Sequence, residues 1–272
     1  MDTGHLNIHV KQRSVREDDW DQVEIFGVRF PRKTRHTVLK ELLSRIEHGI
    51  GGGVCFPDMS TMNLVIKDDE LRQCLQTRLD VFNDGAGLAW AARRKGKPFP
   101  DNLNGTDLVP RLLDSVPMGT RVFVLGGKPK TVESAVENMQ RRFPCADFVG
   151  WHHGYLDSEL EDRVVEEMRS LQPNVVLVAM GNPLQIRFID RHKDKPGLEK
   201  TIFFAVGGLL HYFSGELVRA PRWVRRCRLE WLFITVQQPY KFRRYFFGIP
   251  KFLFYCLKYE SGRKTFEGKT VE

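Results

Sequence analysis

The feature that most constrains this chain is a rhythm: short apolar runs, each ending in a loop, recur with stretches of helical spacing between them. The runs fall at 54–56, 79–82, 121–125, 147–149, 175–179 and 201–206, after a first strand candidate at 23–28. Helix candidates fall at 37–47, 105–115, 130–142, 157–171 and 183–193. In 37–47, Val38, Leu42, Leu43 and Ile46 share one face, and the glycines from Gly49 to Gly53 end the element. Val- and Ile-rich runs alternating with helices imply a mostly parallel sheet covered by helices on both faces. We therefore expect an α/β domain over residues 22–210, preceded by a polar tail over 1–21.

Composition separates the last part of the chain, 211–272, from that domain. Lys and Arg exceed Asp and Glu by 42 to 34 over 272 residues. From Arg219 to Lys258 there are ten basic residues and one acid, so the excess is concentrated there. Residues 219–259 also hold twelve of the chain's 30 aromatics, which points to a helical appendage and not to more sheet. Three uses fit such a segment: an anionic bilayer surface, nucleic acid, or a packed subdomain with solvated charges. The density of Phe246, Phe247, Phe252, Phe254 and Tyr255 favours a mixture of core and membrane contact over nucleic acid. A second copy of the chain could also cover these aromatics. Five scattered cysteines form no CxxC pair and the first residues carry no apolar signal segment, so the expected setting is the cytoplasmic side.

In a parallel sheet, ligands gather where strands end. After run 79–82 come Asn83, Asp84 and Gly85, which put a carboxylate on a glycine-flanked turn. Asp84 can act as a general base, ligate a metal or cap the next helix, expected to begin near Leu88. After run 121–125, Gly126, Gly127 and Lys128 form a turn where backbone can approach phosphate, although the spacing fits neither GxGxxG nor a Walker loop. After run 175–179, Gly181 shapes a loop leading to Gln185, a residue that at a helix start is ordinarily solvated. Gly207 and Gly208 follow the last run. Together these turns argue for a phosphate-bearing ligand. In WHHGY (151–155) the adjacent imidazoles lack the spacing of a metal site. No serine or cysteine has the setting of a nucleophile.

Taken in order, these edges resemble the WecG/TagA/CpsF group, glycosyltransferase family 26. The resemblance is carried by DGAGLAWAAR (84–93), GTDLVP (105–110), VFVLGGKP (122–129), HGY (153–155), MGNPLQ (180–185), VGG (206–208), RAPRW (219–223) and LEWL (229–232). It implies a Rossmann-like sheet and an inverting transfer of a sugar from a UDP-sugar to a polyprenyl-diphosphate-linked glycan, with no required metal. It also implies a carboxy-terminal appendage that meets the cytoplasmic face of the inner membrane peripherally. By the same resemblance Asp84 is the general base. The donor and acceptor pocket would draw on Asn83, Gly85, Gly105, Asp107, Gly126, Gly127, Lys128, His153, Gly154, Tyr155, Gly181, Gln185, Gly207 and Gly208. Arg219, Arg222, Arg225 and Arg226 would face the lipid diphosphate or the bilayer.

The chain departs from the family pattern at three points. Phe56, Pro57 and Asp58 stand where many members have Thr-x-Asn; Asn102 replaces an arginine often found before the GTD motif; and Ile186 replaces a glutamate. Asp58 is then a second carboxylate, able to bind sugar hydroxyls or share the base role. These departures favour a hexose donor, as in the GumM-like exopolysaccharide branch that adds glucose to lipid-linked glucose. The alternative is N-acetylmannosamine or its uronate. Two other classes compete: a dinucleotide-dependent oxidoreductase, disfavoured by the missing GxGxxG, and a basic nucleic-acid-binding module without catalysis.

Overall fold

The computed structural model describes residues 21–221, 224, 230–239 and 242–261. All but the last residue of the polar tail expected over 1–21 lies outside them. The expected first strand, 23–28, is instead a hairpin. β1 (Gln22–Ile25) and β2 (Val28–Pro31) pair antiparallel. Phe26 and Gly27 reverse the chain with φ of 50° and 80°. Alternation then puts Val23, Ile25, Val28 and Phe30 on one buried face.

The main sheet begins after α1 (Arg35–Glu47), which Thr34 caps. It comprises β3 (Gly52–Cys55), β4 (Asp80–Val81), β5 (Thr120–Gly126), β6 (Ala146–His152), β7 (Val175–Ala179) and β8 (Ile202–Ala205). The six strands are all parallel, in the order β4-β3-β8-β7-β5-β6. β6 is longer than its apolar run and β4 shorter. Between the strands lie α2 (Met59–Val65), α3 (Asp69–Gln73) and a π turn (Cys74–Arg78), and then α4 (Gly85–Arg94) and α5 (Gly105–Leu113). They are followed by α6 (Pro129–Arg142), α7 (Ser158–Leu171), α8 (Leu184–His192) and the short α9 (Leu209–Phe213). The expected helices appear within one or two residues, and α4 starts three residues before Leu88.

Both faces of the sheet are sealed. Val122, Val124, Val175, Leu177, Ile202 and Phe204 pack under α1, α5, α6 and α9. The alternate residues Phe123, Leu125, Val176, Val178, Phe203 and Ala205 pack under the hairpin, α2, α4, α7 and α8. Each apolar side chain buried this way contributes about 1.5–3 kcal/mol.

The second face is completed by the carboxy-terminal helix, Phe242–Ser261. Phe252 is fully buried, and its ring meets Phe26 edge-on at 5.5 Å between centroids. Tyr259 lies 5.7 Å from Phe26, and Asn63 Nδ2 donates to Gly248 O at 2.9 Å. The other side of the helix exposes Phe242, Phe246, Phe247 and Phe254. The appendage's aromatics thus divide between core and surface. Among the described residues no helix is long and apolar enough to cross a membrane. Phe252→Ala is expected to lower the unfolding free energy by about 3–5 kcal/mol, and Phe254→Ala by less than about 1 kcal/mol. Denaturant titration of the two variants measures the contrast.

Candidate active site

Because every strand of the sheet runs the same way, the turns after β4, β3, β8, β7, β5 and β6 share one edge. Asp84 follows β4. Its amide donates to Pro57 O at 3.3 Å, which lashes the β4 turn to the β3 turn. It occupies the N-cap position of α4 but its side chain makes no cap bond, so the capping role considered for it is not the one it has. Asn83, just before it, is buried and donates from Nδ2 to Asp101 O at 3.0 Å. That amide therefore organises the turn from behind. Gly85 has φ of +87°, which favours glycine, and a Cβ there would meet nothing within 4 Å.

Asp58, at the end of β3, is the cap of α2: Oδ1 accepts from Thr61 N at 2.8 Å and from Thr61 Oγ1 at 2.7 Å. A chain of hydrogen bonds continues from it across three strand ends. Asn182 Nδ2 donates to Thr61 Oγ1 at 2.7 Å, Gln185 Nε2 donates to Asn182 Oδ1 at 2.7 Å, and Gly207 N donates to Gln185 Oε1 at 3.1 Å. Gln185 is accordingly only 3% exposed, not solvated as its place at a helix start suggests. Thr61 and Asn182 were not among the residues singled out by sequence. The bond that joins them spans 121 residues of sequence, beyond any local pattern.

The β5 turn is built on close backbone approach. Gly126 has φ of +143°, and a Cβ on it would fall 2.4 Å from Ala179 O of β7. Gly154 N donates to Gly127 O at 3.0 Å, so the HGY loop after β6 rests on the glycine turn. His153 and the exposed Tyr155 stand above it with ring centroids 6.4 Å apart. Lys128 is exposed at the N-cap of α6. Gly181 and Gly208 also border open space. The edge therefore offers Asp84 together with bare backbone near Gly85, Gly127, Gly181 and Gly208.

Two residues proposed for ligand contact are engaged with each other. Asn104 caps α5 and Asp107 returns a bond to it, a reciprocal cap. Arg219 Nη2 then reaches Asp107 Oδ1 at 2.7 Å, and Nη1 donates to Thr106 O at 2.5 Å. Here Arg219 ties the appendage to the start of α5; Arg222, Arg225 and Arg226 lie outside the described residues. Gly105 is required by packing, since a Cβ would sit 2.6 Å from the Phe56 ring. The strap leading to Arg219 is anchored on both sides: Gln237 bonds both the N–H and the carbonyl of Val218. Glu216 accepts from Thr131 Oγ1 at the start of α6, and its Oε2 lies 2.6 Å from His211 Nδ1.

Burial pushes the Cys55 thiol well up and the Cys74 thiol up to about 12, so neither is a thiolate nucleophile at neutral pH. Among the described residues no three His, Cys, Asp or Glu side chains gather to hold a metal ion. The Thr131 hydroxyl, with His211 beside it, holds the Glu216 carboxyl below its ordinary 4.5. A depressed carboxyl adds stability above 4.5 that is lost as pH falls through the lower folded value. Glu216→Gln is therefore expected to be less stable than wild type at neutral pH, with the difference closing as pH falls below 4.5. Thermal melts across pH measure it.

A parallel sheet whose carboxyl edge joins a carboxylate to open glycine turns has the α/β architecture in which ligands bind at the strand ends. Residues 23–265 match the glycosyl transferase WecG/TagA/CpsF family. The chain belongs to that family. Proteins named N-acetylglucosaminyldiphosphoundecaprenol N-acetyl-beta-D-mannosaminyltransferase are similar to it. The one from Bacillus subtilis is 28% identical over 227 residues, 82% of this chain and 86% of the relative. The one from Staphylococcus aureus is 30% identical over 225 residues, 78% and 83%. That from Bacillus spizizenii is 32% identical over 181 residues, 66% and 68%. These names agree with the N-acetylmannosaminyl alternative and give no support to the glucosyl expectation.

Proposed function

We propose that this glycosyltransferase moves a sugar from UDP to a hydroxyl of a polyprenyl-diphosphate-linked glycan, with inversion and without a required metal. The observation that carries the reading is Asp84: a carboxylate at a strand end, outside the cap of the helix it precedes, on an edge bordered by open glycines. The acceptor hydroxyl attacks the anomeric carbon from the face opposite the diphosphate. Its proton passes to Asp84 as the bond from the sugar to the diphosphate oxygen breaks, and UDP leaves. Positioned proton transfer of this kind contributes about 10²–10⁴-fold. The N–H groups of Gly127 and Gly207 are taken by Ala179 O and Gln185 Oε1, so the diphosphate would face the start of α6 after Gly127 and the open backbone at Gly208.

For the donor, the names of the relatives favour UDP-N-acetylmannosamine and a diphospholipid-linked N-acetylglucosamine acceptor. A hexose donor is the second reading, favoured by Phe56 and Asp58 at the end of β3: Phe56 packs against Gly105, and Asp58 is held by Thr61. Transfer from a panel of labelled UDP-sugars to a short-chain polyprenyl-diphosphate acceptor decides between them. Asp84→Asn is expected to bind UDP normally and to lower kcat by about 10²-fold or more. Normal turnover by that variant would remove Asp84 from the base role.

The exposed Phe242, Phe246 and Phe247 beside basic sequence support peripheral binding at an anionic bilayer, where the acceptor resides. Truncation is a poor test, because it also removes Phe252 from the core. A Phe246→Ser, Phe247→Ser double variant is expected to co-sediment less with anionic vesicles while melting like wild type; undiminished co-sedimentation counts against the assignment.

A further inference from the structure

A helix start and a catalytic base compete for the same carboxylate. A residue at the N-cap position ordinarily satisfies one of the first helix N–H groups with its own side chain. Asp84 has the extended backbone of that position, with φ of −120° and ψ of 123°, yet makes no such bond. The N–H of Gly85, the first helical residue, is held from another part of the chain: it donates to Asn102 Oδ1 at 2.9 Å.

Asn102 is itself held in place. Arg35 Nη2 donates to Asn102 O at 3.2 Å, and Arg35 N donates to Asp101 Oδ2 at 2.8 Å, which fix the loop against the start of α1. On the other side, Asn83 Nδ2 donates to Asp101 O and Leu103 N donates to Asn83 O at 3.1 Å. The neighbours of Asn102 are thus bonded to the neighbour of Asp84, and Asn102 bonds the residue after it. These five hydrogen bonds tie the 83–85 turn to the 101–103 loop and that loop to the start of α1.

We infer that Asn102 is a positioning residue for transfer: its side-chain oxygen holds the N–H of Gly85, the first residue of α4, and so fixes the 83–85 turn that carries the Asp84 carboxylate. This rests on the reading of Asp84 as the base. The amide is suited to the task because it accepts a hydrogen bond without adding charge. Among the described residues, the charged groups on the elements that meet the turn include Asp58 at the β3 end, Asp101 and Arg35 behind Asn102, Asp107 and Arg219 at the start of α5, and Arg93 and Arg94 at the far end of α4. A carboxylate at position 102 would stand next to the base and oppose its ionised form.

The test is transfer kinetics against pH for wild type, Asn102→Ala, Asn102→Asp and Asp84→Asn, with the Asp84 carboxyl titrated by ¹³C NMR in the first three. Asn102→Ala removes the acceptor and is expected to lower kcat about tenfold with little change in KM for the donor. Asn102→Asp restores the acceptor and is expected to recover the rate at high pH, with the acid limb and the NMR titration both moved up by about one pH unit. A cap of purely structural importance would lower the melting temperature of Asn102→Ala and leave both pH readouts of Asn102→Asp where they are in wild type. That result, with Asp84→Asn inactive, overturns the inference alone; an active Asp84→Asn overturns the base reading and the inference with it. Where Asn102→Ala fails to fold, Asn102→Asp decides.

Discussion

Burial on both faces of the parallel sheet is the constraint from which the rest follows. Successive residues of β5, β7 and β8 point to opposite helix layers, so these strands carry apolar side chains almost throughout. Polar chemistry in this domain collects at the strand ends, where the chain leaves the sheet. Glycine is needed there for two different reasons. Gly126 lies too close to Ala179 for any side chain, and Gly85 has a positive φ beside open space. The first use is packing and the second leaves room for a ligand, and sequence does not distinguish them.

The strand order of the edge is what makes its residues cooperate. β8 lies between β3 and β7, and the bonds from Asp58 through Thr61 reach past it to Asn182 and Gln185 after β7 and return to Gly207 after β8. Two carboxylates at neighbouring strand ends end up with different duties. Asp58 is held by Thr61 as the cap of α2, whereas the Asp84 side chain makes no cap bond to α4, whose first N–H is held by Asn102. Local backbone position alone would give both the same role.

Much of this was legible from residues alone, and the gaps have physical causes. The apolar runs located the main strands, because strands buried on both sides need no alternation to be recognised. The hairpin was missed because Phe26-Gly27 is not one of the usual two-residue turn pairs and the flanking segments are only four residues each. Residues 59–78 gave no single period, since two short helices and a π turn each shift the phase of Met62, Val65, Leu71 and Leu75. At the site, Asp84 and the glycine turns carried their own local signal. Asn102, Thr61 and Asn182 did not, because what they do depends on partners brought near only by the fold. The family resemblance assigns Arg219 to the lipid diphosphate or the bilayer, and its ion pair with Asp107 is visible only with the start of α5 in place.

The contact between Phe26 and Phe252 joins residues near opposite ends of the chain. A ribosome releases the hairpin long before this helix, so that face of the core stays uncovered while the whole sheet between them is made. Closing it and presenting Phe246 and Phe247 outward belong to the same helix and the same late moment. The chain therefore closes this face of its core and acquires its exposed aromatic surface in one step.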